Sequence, residues 1–325
     1  MSSKMLKIGF LENRLNIRGT SVAMFHYAHY NETMLGNKSV IITRDLKRTN
    51  MIDTSQEVYN RFINRFQVLY YENKEDIDRI VAEQQLDILY IIKAGSPSDG
   101  LTNFKCKTII HCVFETREPH GNHYVTISEF VNNIHGTKLT VLPHIVEVHE
   151  TNKTLRQKLD IPVEATVFGT YSGENQFDIY YINSVIAHIL TNNINNIYFI
   201  FLGIKPFCNV SDKHIIFLPS TTDMKYKRKF INTCDAMLYG RAGGETFGLS
   251  CGEFSICNKP VICHTPEHSH FHLDVLGNDA ILHHNYDELL EILMNWSRFN
   301  KDVSHNGYKK YTPIYVMAIF QTLLS

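Results

Sequence analysis

The sequence lacks any paired-cysteine motif, because its seven cysteines include no C-x-x-C pair and their number is odd. We therefore expect no disulfide framework, and a reducing compartment fits this pattern. The chain also lacks an apolar run of the roughly 18 residues that a membrane-spanning helix needs, and its N-terminal apolar stretch is too short for a secretory signal. We expect a cytoplasmic protein, in the host cytoplasm if the source is a virus, with no transmembrane segment.

Net charge is nearly absent as well. Lys and Arg number 32 and Asp and Glu number 33, so the formal net charge is −1. No global field favours nucleic acid or an anionic membrane, and any bound anion must be held by local groups. The composition, 44% hydrophobic and 20% charged, excludes a disordered chain. The length of 325 residues fits two domains of about 150 residues each.

Short apolar runs alternate with helix-length segments along the chain, which predicts parallel α/β units. The predicted strands of a first series are residues 6–10, 39–43, 67–71, 87–92, 107–113, 123–127 and 139–142. Those of a second series are residues 166–170, 197–202, 214–218, 236–239, 260–263 and 280–282. Helical spacing is clearest over residues 20–35 and 74–85.

Because the strand-helix cycle restarts after a polar linker at residues 146–152, we expect two domains. The predicted boundaries are 1–149 for the first domain and 150–310 for the second, followed by an amphipathic helix within 311–325 that could pack back on the first. Ligands of open parallel sheets bind at the carboxyl ends of strands, so the sites are sought there.

The segment 235–263 concentrates groups that can bind a ligand. Its glycines allow close backbone approach and are Gly240, Gly243, Gly244 and Gly248. The backbone amides of a helix beginning at 247–250 would face an anion, as in a phosphate cradle. Glu245 and Glu253 flank these amides and could hold hydroxyls at two ends of one ligand. Residues alone leave open that the turn is merely tight and the glutamates merely lie at the surface.

The stretch GGETFGLSCGEFSICNKPVI resembles the E-x7-E signature of retaining glycosyltransferases with the GT-B fold, especially glycosyltransferase family 4. LRQKLDIPVEATVFGTYSG, IYFIFLG, TIIHCVFE and HYVTISEFV are similar to further segments of that family, in the same order. The resemblance implies two Rossmann-like domains whose parallel sheets face a central cleft. It also implies transfer of a sugar from a nucleotide-sugar donor with retention of configuration, without a metal or another cofactor.

Carried over to this sequence, the resemblance implies that Glu245 faces the donor sugar and that Glu253 binds ribose hydroxyls. His111 would lie near the transferred sugar, although a half-buried strand histidine is the alternative. The other implied donor-binding residues are Gly19, Thr20, Gly173, Lys205, Gly244, Thr246, Phe247, Gly248 and Leu249. Arg18 and Glu115 are placed on the acceptor side, the acceptor being a glycan, a lipid-linked group or a protein. Thr20 could instead serve only as a helix N-cap.

One departure concerns the donor diphosphate. The family usually places an Arg directly after the glycine of this strand and a Lys soon after it, whereas Gly173 is followed here by Glu174. Arg241 is the first candidate for the missing cation, and so a catalytic residue, with Lys205 as the weaker one. Arg241 could also be an ordinary surface arginine. A catalytically weak nucleotide-sugar-binding protein and an epimerase of the same fold remain alternatives.

Two further patterns suggest a metal but lack a convincing ligand spacing. Four histidines fall close together, at His264, His268, His270 and His272. Asp76 and Asp78 spell D-x-D within a charged helical stretch and are predicted to be solvated. We therefore predict no metal site.

Overall fold

The computed structural model describes residues 4–45, 55–192, 196–208, 212–299 and 304–325. These residues form two compact units, one comprising 1–145 with 311–325 and the other 146–310. The sequence placed the boundary at 149/150, within the same polar linker.

The first unit contains a six-stranded sheet, and helices connect its first four strands. The strands are β1 (Lys7–Leu11), β2 (Lys38–Arg44), β3 (Gln67–Tyr71), β4 (Ile88–Lys93), β5 (Lys107–Cys112) and β6 (His123–Thr126). The helices are α1 (Gly19–Thr33), α2 (Gln56–Ile63), α3 (Lys74–Gln84) and α4 (Glu129–His135). Every pairing is parallel and the order is β3-β2-β1-β4-β5-β6, which is the Rossmann order.

The second unit repeats this plan. Its strands are β7 (Thr166–Tyr171), β8 (Ile197–Leu202), β9 (Ile215–Leu218), β10 (Ala236–Leu238), β11 (Gly244–Glu245), β12 (Val261–His264), β13 (Ser269–His270) and β14 (Ala280–His283). Its helices are α5 (Tyr180–Thr191), α6 (Met224–Thr233), α7 (Leu249–Ile256), α8 (Phe271–Leu276), α9 (Tyr286–Met294) and α10 (Trp296–Phe299). The order β14-β12-β10-β7-β8-β9 is again the Rossmann order, and β11 pairs only with β13.

Apolar side chains explain why these strands form where they do. All six residues of β8 are buried, as a strand with helices on both faces requires. Leu11, Leu89 and Ile91 lie in the core of the first unit, and Phe199 and Phe201 lie in that of the second.

The last helix, α11 (Pro313–Thr322), belongs to the first unit. Its Phe320 ring lies 5.5 Å from the Tyr27 ring, 5.8 Å from that of Tyr90 and 6.2 Å from that of Phe10. These are ordinary distances for packed aromatic pairs, so the C-terminal helix completes an aromatic layer over the first sheet.

The predicted strand at 139–142 is wrong. This segment forms a single bridge with the first sheet, between Thr126 and Val141. The Leu139 amide donates to the Asn132 side-chain oxygen instead of to a neighbouring strand. Pro143, directly after this segment, has no N–H to donate, so the strand pairing does not extend.

The two aspartates of the D-x-D pair stabilise helix α3. Asp76 and Asn73 form a reciprocal capping box at the start of this helix, and Asp78 pairs with Lys74 at 2.7 Å. Both carboxylates are thus engaged on the surface of one helix.

Candidate active site

The loop after β10 lies at the point where the order of the second sheet reverses, between β7 and β10. At Gly244, φ is +66°, and a Cβ would meet the Ser269 carbonyl oxygen at 1.7 Å, so only glycine fits. Gly248 has φ of +82° and is the N-cap of α7. The first amides of a helix have no intrahelical acceptor and carry partial positive charge. This turn therefore presents donors at the carboxyl edge of the sheet.

Glu245 lies in this loop and is held by two neighbours. Arg241 Nη1 lies 3.1 Å from its Oε1, and the Tyr239 hydroxyl donates to the same oxygen at 3.4 Å. Burial raises the pKa of Glu245, and Arg241 opposes that effect. Arg241, the first candidate for the missing cation, is thus only partly exposed, at 29% of its side chain, and forms an ion pair with the first glutamate of the motif.

Glu253 lies on the second turn of α7 and is buried, with 1% of its side chain exposed. Lys227 Nζ, from α6, lies 3.1 Å from its Oε2 and 3.4 Å from its Oε1. The hydroxyl of Tyr171, the last residue of β7, donates to Oε2. Burial, reinforced by Glu253, raises the pKa of Tyr171 far above its usual value. The second glutamate is therefore also paired with a cation, and neither Lys227 nor Tyr171 is evident as its partner from the sequence.

The turn after β7 contains Gly173 and carries no free cation of its own. Lys205 Nζ lies 2.6 Å from Glu174 Oε2, and both side chains are more than half exposed. Exposed pairs of this kind contribute little energy, so Lys205 is held only weakly. The position at which the resemblance implies an arginine thus carries a carboxylate paired with Lys205, the weaker candidate cation.

The remaining predicted residues of this loop differ in exposure. The Phe247 ring is buried, packed 5.7 Å from the ring of Tyr308, and its carbonyl accepts from the Tyr308 hydroxyl at 2.6 Å. Thr246 and Leu249 are partly exposed. Phe247 therefore serves the core, whereas Thr246 and Leu249 have accessible surface.

In the first unit, the turn after β1 places a buried carboxylate that the sequence analysis did not single out. Glu12 accepts hydrogen bonds from the Thr20 hydroxyl and, at 2.7 Å, from the Ser21 hydroxyl. Burial raises its pKa to about 7, against the opposing effects of these two hydroxyls and Arg18. Thr20 is not an N-cap, because Arg18 occupies that position and α1 begins at Gly19.

His111 is completely buried near the end of β5. Its Nδ1 lies 2.6 Å from the Tyr90 hydroxyl, and its ring packs 5.8 Å from that of His144. Burial, with His144 adding to it, lowers its pKa far below the usual value. A contact between His111 and a sugar stays a prediction, and as placed the imidazole has no exposed surface with which to make it.

Glu115, predicted on the acceptor side, is clasped by Arg117. The guanidinium Nε lies 2.9 and 3.1 Å from the two carboxylate oxygens. The bond with Arg117 lowers the pKa of Glu115 to about 2.

The four histidines considered for a metal do not share one environment. His264 and His272 are buried, with their rings 6.0 and 4.7 Å from the Tyr239 ring, whereas His268 and His270 are exposed. Across the ranges that the structure describes, no group of three His, Cys, Asp or Glu side chains is arranged to hold a metal ion. In the same ranges, no helix combines the length and apolarity needed to cross a membrane.

Replacing Glu12 by Gln should remove a pH dependence of stability. A carboxyl whose pKa rises on folding, here to about 7, stabilises the fold fully below about pH 4.5, and that stabilisation is lost as the pH rises through 7. From pH 5 to pH 8, the free energy of unfolding of Glu12→Gln should therefore rise relative to wild type by about 2.5 kcal/mol. Urea denaturation followed by circular dichroism measures this difference.

The matched control is Glu115→Gln. Its carboxyl has a lowered pKa of about 2 and is ionised throughout this range, so the substitution should add no pH dependence between pH 5 and pH 8. Equal pH dependence in wild type and Glu12→Gln would contradict the assignment.

Comparison with known proteins finds similarity in structure alone. No model of a known protein family matches the chain, and no curated protein matches it in sequence. Among solved structures, HepE of Anabaena in complex with UDP-glucose is 12% identical, with a TM-score of 0.73 over 98% of this chain and 99% of that one.

Two other solved structures agree with it. A glycosyltransferase from Rickettsia africae is 14% identical, with a TM-score of 0.65 over 99% of this chain and 96% of that one. WaaG, described as a glycosyltransferase involved in lipopolysaccharide biosynthesis, is 11% identical, with a TM-score of 0.64 over 97% and 98%. At these identities the similarity establishes the fold: the prediction of two Rossmann-like domains of the GT-B class is confirmed.

Proposed function

We propose that this protein is a glycosyltransferase that moves a sugar from a nucleotide-sugar donor to an acceptor. The observation that carries the proposal is the pair Glu245 and Glu253. These two glutamates flank the N-terminus of α7, which is capped by Gly248 and lies where the strand order of the second sheet reverses. The fold is shared with proteins whose structures were solved with UDP-glucose and with UDP, which supports a donor of this chemical class. The second unit is accordingly the donor unit.

Glu245 is suited to hold hydroxyls of the donor sugar. A carboxylate has acceptor sites for several hydroxyl donors, and its bonds to Arg241 and Tyr239 leave acceptor capacity free. Arg241 keeps a positive charge beside a carboxylate that burial would otherwise tend to protonate. In this proposal, Glu245 orients the sugar and Arg241 stabilises the negative charge that develops on the departing diphosphate.

The amides that open α7 support the same step. Gly248 and Leu249 place a helix N-terminus at the carboxyl edge of the sheet, where backbone N–H groups can bind phosphate oxygens without a metal. Thr246, partly exposed in the same turn, can add a hydroxyl. We therefore include metal independence, with no other cofactor, and retention of configuration in the proposal.

The first unit would receive the acceptor, which we propose is a glycan, a lipid-linked group or a protein. Arg18, assigned to the acceptor side, lies beside Glu12 at the end of β1, where ligands of a Rossmann-like sheet bind. We place the reaction in the cytoplasm, which fits the unpaired cysteines.

A catalytically weak binding protein is a second candidate. The specific observation in its favour is Glu174, which stands where a diphosphate-binding arginine is expected and pairs with Lys205. Turnover, as distinct from binding, separates the two functions.

A screen of nucleoside diphosphates and nucleotide-sugars tests the proposal. A ligand that binds only the folded state raises the melting temperature by mass action, so at least one nucleotide-sugar and its diphosphate should give a shift. The matching donor should then yield a glycosylated product with an acceptor mixture, detected by mass spectrometry. Stabilisation without any product would favour the binding protein, and no stabilisation by any nucleotide would refute both functions.

Arg241→Ala should lower turnover more than it lowers folding stability. Loss of one preorganised group that stabilises transition-state charge typically costs about 10²- to 10³-fold in kcat. The control is Lys205→Ala, which removes a cation of the exposed pair with Glu174 and should reduce kcat far less. If Lys205→Ala abolishes turnover and Arg241→Ala does not, the two roles must be exchanged.

Chelation should leave transfer intact. The charge of the diphosphate would be balanced by Arg241 and the α7 amides, so removal of divalent ions should not change the rate of transfer. Product formation is measured with and without excess EDTA, after elemental analysis of the purified protein. Activity lost in EDTA and restored by manganese or magnesium would contradict this charge balance.

A further inference from the structure

A cluster of three side chains, a buried glutamate with a largely covered lysine and tyrosine, lies at the carboxyl edge of the second sheet. Glu253, Lys227 and Tyr171 come from α7, α6 and β7, respectively. The ammonium of Lys227 lies within 3.4 Å of both oxygens of Glu253 and 4.9 Å from the centroid of the Tyr171 ring. The exposed fraction is 12% for the lysine side chain and 1% for the glutamate. The lysine is thus a largely covered cation, paired with a buried carboxylate, inside the region that we assign to the donor.

Such a pair is not explained by stability. Removing two charges from water costs several kcal/mol, and replacing buried ion pairs by apolar groups is often neutral or stabilising. The neighbouring Lys225 of the same helix is exposed, so α6 does not need a lysine facing inward to remain soluble. The position of Lys227 therefore calls for a reason other than folding.

The charge of the donor site supplies that reason. Each glutamate of the motif is paired with one cation: Glu245 with Arg241 and Glu253 with Lys227. A nucleoside diphosphate adds at least two negative charges, and Glu174 follows Gly173 where the missing arginine would meet them. Hydroxyl groups of a ligand can take over hydrogen bonds to a carboxylate, which frees its former cation.

We propose that Lys227 is the second diphosphate-binding cation of this protein. When ribose hydroxyls bind Glu253, the ammonium of Lys227 exchanges this carboxylate for the phosphate oxygens. A lysine suits the exchange because it carries a compact charge with three donors on a flexible stem. The helix position favours it too, since α6 follows β9 and its first turn lies at the carboxyl edge. This inference rests on the proposed function and adds a residue that the sequence analysis did not consider.

The alternative is that Lys227 only holds Glu253 in place for the ribose. The two roles differ in which part of the ligand they serve. A cation that binds phosphate affects a nucleoside diphosphate and leaves the nucleoside alone, whereas a cation that positions Glu253 affects both equally. The ratio of the Kd of the nucleoside to the Kd of its diphosphate therefore reports the phosphate contribution alone.

Calorimetry with UDP, and uridine by displacement of UDP, measures this ratio. If the screen above selects another base, its diphosphate and nucleoside replace them. We expect Lys227→Met to reduce the ratio at least about tenfold, the size of one lost charge-assisted hydrogen bond. The salt dependence of diphosphate binding should fall as well. Lys225→Met, on the exposed face of α6, should leave the ratio unchanged.

Lys227→Met leaves Glu253 buried without its cation, which can impair folding. The double variant Lys227→Met with Glu253→Gln removes both charges and keeps the test valid. Glu253→Gln alone should weaken both ligands together, and the double variant should show the reduced ratio of Lys227→Met. Circular dichroism verifies that each variant is folded.

The outcomes separate the two proposals. If wild type binds the diphosphate and Lys227→Met or the double variant retains the full ratio, Lys227 has no phosphate role and the proposed function stands. If wild type binds no nucleoside diphosphate at all, the proposed function and the role of Lys227 fail together.

Discussion

Every strand pairing within the two six-stranded sheets is parallel, and this constraint decides where polar side chains can meet. Parallel strands need crossover connections, so a helix that follows a strand begins at the edge at which that strand ends. The carboxyl ends of the strands and the positively polarised N-termini of the helices therefore lie along one edge of each sheet. At the order reversal, neighbouring connections leave in opposite directions and open a crevice there. Glu12 in the first unit and the loop 239–248 in the second occupy these two positions.

Much of this arrangement could be predicted from the sequence. Buried parallel strands require continuous apolar runs, and Ile197–Leu202 is such a run. The glycine-rich turn could be located because Gly244 and Gly248 need conformations that other residues rarely adopt. The single expected strand that failed, at 139–142, was apolar enough, but a strand also needs a continuous partner, which local sequence does not reveal.

The charged groups of the site were harder to predict, because burial of a charge depends on contacts far apart in sequence. Lys227 lies in the stretch KYKRK, which looks like a solvated helix face, and only the packing of α6 on α7 and β7 makes it a buried partner of Glu253. Glu12 is an unremarkable acidic residue until the start of α1 encloses it with two hydroxyls. The burial of His111 was equally hard to predict: it lies near a strand end, yet the rings of Tyr27 and Tyr90 pack against it.

The pairing of both motif glutamates with cations also bears on selectivity under the proposed function. A site with a fixed, unpaired arginine attracts any phosphate, because that charge is available before the ligand is recognised. Here a phosphate-containing ligand must first compete with Glu245 for Arg241 and with Glu253 for Lys227. Inorganic diphosphate offers the glutamates nothing in return and would leave them buried without partners, which is costly. A nucleotide-sugar brings ribose hydroxyls at one end and sugar hydroxyls at the other, so it can satisfy both carboxylates while it takes their cations. The diphosphate then binds well only when the ribose and the sugar of the donor bind the two glutamates. Glu174 after Gly173 is consistent with this selectivity, because a free cation at that position would bind phosphate without the ribose and the sugar.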